Sequence, residues 1–139
     1  MRDVEQPPVV AYLAVKGGLD AIAFYERAFG ATLLTHKMAD DRKRVLHAVL
    51  DIFGMMVMLS DEFPEYGSDV MAPPSVGGTT FTLHVECDDP KAVDAAMAKA
   101  AEAGCTMTWP AADVFWGMRY GRLEDPFGHA WAFGAALPD

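Results

Sequence analysis

The sequence predicts an α+β protein built from a duplicated βαβββ unit, and three observations lead there. Two stretches about seventy residues apart read in the same order of strand, helix and further strands. The apolar period switches between two and 3.6 at matching points of both stretches. A Pro-, Gly- and Ser-rich segment, DEFPEYGSDVMAPPSVGGTT, separates them. The first unit runs VVAYLAV, LDAIAFYERAFG, ATLL, RVLHAVLDI, MMVMLSD, and the second FTLHVEC, PKAVDAAMAKAAEAG, CTMTW, MRYGRLED, HAWAFG. A sheet with a helix on one face must cover its other face, and the duplicate can supply the cover. A concave space between the copies is then the natural place for a ligand.

Taken in order, Lys16-Gly17-Gly18 breaks the opening strand, and Ala21, Phe24, Tyr25, Ala28 and Phe29 recur at helical spacing until Gly30. The cluster Arg42-Lys43-Arg44, preceded by Asp40 and Asp41, reads as a solvated turn. The connecting segment reads as neither strand nor helix, with Phe63, Tyr66, Val70 and Met71 available either to fold over a pocket or simply to link modules. The second helix starts legibly: Asp89 is placed to cap it, Pro90 takes the first helical position, and Val93, Ala96, Met97 and Ala100 form an apolar face before Gly104. Module one then covers about 9–61, the linker about 62–78 and module two about 79–135, within one domain spanning 1–139.

With 139 residues, each half alone would be marginal, so the two modules are expected to share one fold. Hydrophobic residues at 52% against 22% charged supply a core, and a net charge of −9 argues against a nucleic-acid binder. The N-terminus MRDVEQPPVV lacks the apolar run of a signal peptide, and no stretch reaches membrane-span length, so a cytoplasmic protein is expected. Cys87 and Cys105 have no CxxC spacing and read as reduced, buried thiols. No phosphate-binding glycine loop, zinc-finger spacing, HExxH or nucleophile elbow occurs.

The segments AYLAV, AIAFYERAFGA, LHAVLDI, VMLSDEFPE, Trp116-Gly117 and DPFGHAW, in that order over about 9–135, resemble the vicinal oxygen chelate superfamily. This group includes glyoxalase I, bleomycin-resistance proteins, fosfomycin-resistance enzymes and extradiol dioxygenases, and the chain looks most like its PhnB-like branch. The resemblance implies two βαβββ modules curling a mostly antiparallel sheet around a cavity, and a homodimer. In the metal enzymes of the group, His, Gln or Glu ligands sit on the first and last strands of both modules. The matching positions here are Val10, Met58, Thr82 and Ala132, none a usual ligand for a divalent ion. No cofactor is therefore expected, with a divalent metal at a displaced site as the alternative.

Strand alternation puts Thr82, His84 and Glu86 on one face, and Met56, Met58 and Ser60 on one face of their own strand. His47 lies among apolar residues of both parities in VLHAVLDI. His47, His84 and Glu86 form either an acid/base or displaced metal set, or satisfied strand residues in a ligand cavity. Trp116 is placed to cover the cavity, and Arg119 to hold an anionic group. Trp131 and Phe133 alternate with Ala130 and Ala132, so the large pair should pack under the helix, while His129 reads as a surface or structural turn residue. The expectation is a small-molecule-binding protein whose pocket uses His47, Met58, Ser60, Thr82, His84, Glu86, Trp116 and Arg119. An acidic, apolar pocket favours a drug-like cation. The alternative is a metal-dependent lyase or dioxygenase using His47 and His84.

Overall fold

The βαβββ order recurs in both halves of the chain, in a computed structural model that describes residues 6–67 and 70–139. Most of the N-terminal segment read above, and Ser68 and Asp69 of the linker, lie outside the described residues. The chain divides into two compact units, one ending at Gly77 and one beginning at Gly78.

In the first unit, β1 (Ala11–Val15), α1 (Gly18–Phe29), β2 (Thr32–Met38), β3 (Val45–Ile52) and β4 (Met55–Asp61) give a sheet ordered β1-β4-β3-β2. The β1–β4 pair is parallel and the others antiparallel. The expected stripe of Ala21, Phe24, Tyr25, Ala28 and Phe29 is buried, and Tyr25 stacks on Phe29 at 5.8 Å between ring centroids. β2 runs well past the expected ATLL. As an edge strand it carries Thr35, His36 and Lys37, which hide the apolar alternation that a half-buried strand would show.

The linker is not free of regular structure, contrary to the sequence reading. A 3-10 turn at Pro64–Tyr66 and a short helix α2 (Pro73–Val76) both start on prolines, whose fixed φ suits a first helical position. Glu62 anchors this segment, accepting from Ser75 Oγ at 2.6 Å and the Ala72 N–H at 3.3 Å, and the Ser75 bond leads in holding its carboxyl below the usual range. Phe63 is buried, stacked on Tyr66 and covered by the Arg44 guanidinium. The basic cluster is accordingly divided. Arg42 and Lys43 are exposed, whereas Arg44 pairs with Asp41 and Glu65.

In the second unit, β5 (Thr82–Glu86), α3 (Pro90–Ala103), β6 (Thr106–Val114), β7 (Met118–Glu124) and β8 (Ala130–Ala136) repeat the same order, β5-β8-β7-β6. Asp89 caps α3 as expected, accepting from the Ala92 N–H at 2.8 Å, with Val93, Met97 and Ala100 buried beneath. Trp131 and Phe133 are buried as expected. β6 extends through Pro110, which an edge strand tolerates because one row of its N–H groups has no ladder partner.

Two buried carboxylates hold the corners. Asp61, at the end of β4, accepts the N–H groups of Gly17 at 2.7 Å, Gly18 at 3.0 Å and Val45 at 2.7 Å. It therefore acts from across the sheet as the cap that α1 lacks locally. Gly18 is required for this approach: a Cβ there would stand 2.6 Å from Asp61 Oδ2 and 2.8 Å from Val45 Cβ. In the second unit Asp125 accepts from the N–H groups of Phe127 at 2.8 Å and His129 at 3.0 Å and from Trp131 Nε1 at 2.9 Å. The DPFGHAW segment is thus a turn wound on one carboxylate, and His129 is buried in it rather than lying at the surface.

Replacing Asp61 with Ala strands three backbone donors and is expected to cost about 3 kcal/mol of unfolding free energy, read by urea titration. Asp41 accepts from the N–H groups of Arg44 and Lys43 and from the Arg44 side chain, and these hold its carboxyl down at about 2. A depressed folded-state pKa stabilises the fold above the ordinary carboxyl range, and that contribution disappears as pH falls through about 2. Carboxyl-carbon NMR should find Asp41 still ionised at about pH 3, where an ordinary aspartate is mostly protonated.

Candidate functional site

In the first unit, the sheet face opposite α1 carries a polar group set among apolar side chains. Register places Tyr12 and Val49 beside Met58, so β1, β3 and β4 each present one parity to this face. There the Tyr12 hydroxyl lies 2.8 Å from His47 Nδ1, and Ser60 also hydrogen-bonds the phenol. Burial pushes the Tyr12 pKa up, and the Ser60 bond offsets part of that rise. The phenol and the His47 ring share one hydrogen bond, whose donor is set by the tautomer of the imidazole. His47 and Ser60 therefore meet through Tyr12, which the sequence reading did not single out. Met58 is buried beside them.

In the second unit, the face opposite α3 is organised in rows across the strands. One row is Glu86, Gly134 and Tyr120, and the next is His84, Ala132 and Arg122. Gly134 clears the space between β5 and β7, since a Cβ there would lie 3.0 Å from His84 Cε1 and 3.4 Å from Tyr120 Cδ1. Across that gap the His84 and Tyr120 rings stack, with centroids 6.1 Å apart and planes 14° apart. His84 Nε2 lies 2.8 Å from Glu86 Oε1, so the predicted pair does come together. Trp109 and Trp116 each meet Tyr120 edge-on, at 5.6 Å and 5.7 Å between centroids. Both indoles remain exposed, at 41% and 46%. Trp116 joins an aromatic cluster with Trp109 and Tyr120, neither of which the sequence reading placed in the pocket.

Arg119 lies elsewhere. Its Nε donates to Asp94 Oδ1 of α3 at 2.8 Å and its Nη1 to Asp113 Oδ1 at 3.1 Å, and these two carboxylates raise its pKa. The guanidinium expected to hold a ligand anion is engaged on the helix side of the sheet. The cation on the open side is Arg122, whose Nη2 donates to Thr82 Oγ1. Parity carried that signal: Gly121 and Leu123 are buried, so Tyr120, Arg122 and Glu124 take the opposite face. Arg122 lines a pocket of about 290 Å³ together with Thr108, Trp109, Leu123, Glu124 and Ala130. The pocket depends on β6. Register shifts on either side of Trp109 insert extra residues into β6, leave Trp109 paired with Arg122 and bring both into the lining of this pocket.

The chain's two thiols are free, and neither is activated. Burial pushes Cys105 up to about 12, with the Asp125 charge adding to it, and burial also raises Cys87. Among the described residues, no three His, Cys, Asp or Glu side chains gather as a metal-ligand group. The positions that the resemblance matches to metal ligands, Val10, Met58, Thr82 and Ala132, carry side chains that do not fit a divalent ion.

The sequence model of the Glyoxalase/Bleomycin resistance protein/Dioxygenase superfamily matches residues 9–133. An uncharacterized protein of Mycobacterium bovis is 41% identical over 130 residues, covering 93% of this chain and 83% of that protein. Among solved structures, a putative 3-demethylubiquinone-9 3-methyltransferase, PhnB protein, from Bacillus cereus superposes with a TM-score of 0.73 at 19% identity, covering 94% of this chain and all of that one. The fosfomycin resistance protein FosX from Listeria monocytogenes, in complex with Mn(II) and sulfate, superposes with a TM-score of 0.66 at 16% identity, covering 96% and 93%. At these identities the two structures speak for the fold alone.

Native protein at pH 8 should alkylate slowly at Cys105 with iodoacetamide, at least about a hundredfold below the rate of the unfolded chain. Mass spectrometry of timed digests reads this directly, and equal rates would contradict the buried, protonated thiol.

Proposed function

The chain belongs to the glyoxalase/bleomycin resistance protein/dioxygenase superfamily, and from that premise we propose that it is a small-molecule-binding protein that takes up an aromatic organic cation. The observation that carries this reading is the cluster of Trp109, Trp116, Tyr120 and His84 on one open sheet face, with the Glu86 carboxylate at its edge. Exposed indoles cost a folded protein solubility and give it nothing unless something covers them. Their π faces attract cations by about 0.5–2 kcal/mol each, depending on desolvation, and a neighbouring carboxylate adds charge complementarity. His84, hydrogen-bonded to Glu86 and stacked on Tyr120, fixes the rotamers of both and so reduces the ordering cost of binding.

The first unit offers a face of a different character. Tyr12, His47 and Ser60 form a hydrogen-bonded chain beside Met58, which suits a ligand with one polar and one soft apolar edge. The fully exposed Phe115 supports a homodimer as the working assembly. Two free thiols fit a cytoplasmic location, and no helix among the described residues is long and apolar enough to cross a membrane.

The test is calorimetric titration with an aromatic quaternary ammonium probe, (2-naphthylmethyl)trimethylammonium. Glu86→Gln and Trp116→Ala are each expected to weaken its binding about tenfold, or about 1.4 kcal/mol. Unchanged affinity in both variants removes the cation reading.

A further inference from the structure

We propose that the pocket at Arg122 is a carboxylate subsite, taking the monoanionic acid group of a planar aromatic ligand. It rests on the reading that this sheet face binds small molecules, but not on the cationic class of ligand.

The first ground is the contrast among the arginines. Arg44 and Arg119 are each paired with two carboxylates. Arg122 is half-buried and forms no ion pair among the described residues, in a chain of net charge −9 that has carboxylates to spare. Among the described residues its side chain donates to a neutral hydroxyl, Thr82 Oγ1. Guanidinium donors left over on a partly desolvated arginine are a matched fork for a carboxylate. Thr82 fixes the orientation of that fork by holding Nη2.

The second ground is the wall. Trp109 stands opposite Arg122 in the β6–β7 register and lines the same pocket. An indole and a guanidinium lining one pocket favour a flat ligand that carries an acid group. The volume of about 290 Å³ is near the lower end for small-molecule sites, which fits a one- or two-ring aryl acid or the acid end of something larger. Ala130 in the lining takes up little of this space, as a larger residue would not.

The third ground sets the charge. Glu124 also lines the pocket, in the same strand and on the same parity as Arg122. A carboxylate there opposes a second negative charge on the ligand, so a monoanionic carboxylate is favoured over a phosphate dianion. Glu86 lies one strand row and two strands away from Arg122. A ligand bearing both an ammonium and a carboxylate would satisfy both ends of the face.

The experiment compares four probes by calorimetry: 2-naphthoate, the neutral 2-naphthamide, 2-naphthyl phosphate and (2-naphthylmethyl)trimethylammonium. Naphthoate is expected to bind at least tenfold tighter than the amide and tighter than the phosphate. Arg122→Gln should abolish that preference, and Arg122→Lys should recover it only in part. Glu124→Gln should raise phosphate affinity severalfold. Trp109→Leu provides a second route to losing naphthoate if Arg122→Gln fails to fold, as judged by near-ultraviolet circular dichroism. Equal binding of naphthoate and its amide, phosphate binding tighter than naphthoate, or an Arg122→Gln variant that folds and keeps the preference would each overturn the subsite. Binding of the ammonium probe alone overturns it while leaving the cation reading intact. Binding of naphthoate alone supports it and removes the cation reading.

Discussion

The first module hangs on one carboxylate. Asp61 accepts three backbone N–H groups from two separate places, the start of α1 and the start of β3, while itself ending β4. Three elements therefore meet at a single buried charge whose hydration is replaced by oriented donors. The register of β1, β3 and β4 follows from that corner, and with it the side of the sheet on which Tyr12, His47 and Ser60 meet. A slip of one residue would turn all three to the helix side.

The second module solves the same problem differently. Its helix carries a local cap in Asp89, and its buried carboxylate, Asp125, instead winds the turn between β7 and β8 and ties it to the Trp131 indole. That turn sets the pairing of β7 with β8, which aligns Tyr120 with Gly134 and Arg122 with Ala132. Small residues on β8 then let side chains from β5 and β7 touch over it. The stacked His84–Tyr120 pair and the Arg122–Thr82 bond both span the strand in this way. Duplicated topology has thus been kept while the interactions that hold each copy have diverged.

Divergence also separates fold from chemistry. The family match and the structural likenesses establish the architecture, and no chemistry follows from architecture alone. What the two faces present is aromatic surface, a His–Glu pair, a Tyr–His–Ser chain and Arg122, which has no ionic partner among the described residues. These are groups suited to recognising a ligand by shape and charge.

Element order, the α3 cap, the buried helix stripes and the pairing of His84 with Glu86 were legible in the sequence, because each depends on residues within one turn or on strand alternation. Most local signals of this kind survive folding, since caps and periodicity act before distant partners arrive. The role of Asp61 was not legible, as its donors lie 16 and more residues away and reach it only across the sheet. The assignment of Arg119 failed for a related reason: nearness to Trp116 in sequence suggested the ligand face, whereas strand parity and Asp94 of α3 hold it on the other. Trp109 was hidden by the bulges of β6, which break the alternation on which a sequence reading relies. The sequence by itself determined which elements form and in what order. Tertiary structure alone decided which arginine is spent on an ion pair and which faces the pocket, because that choice rests on register and on partners distant in the chain.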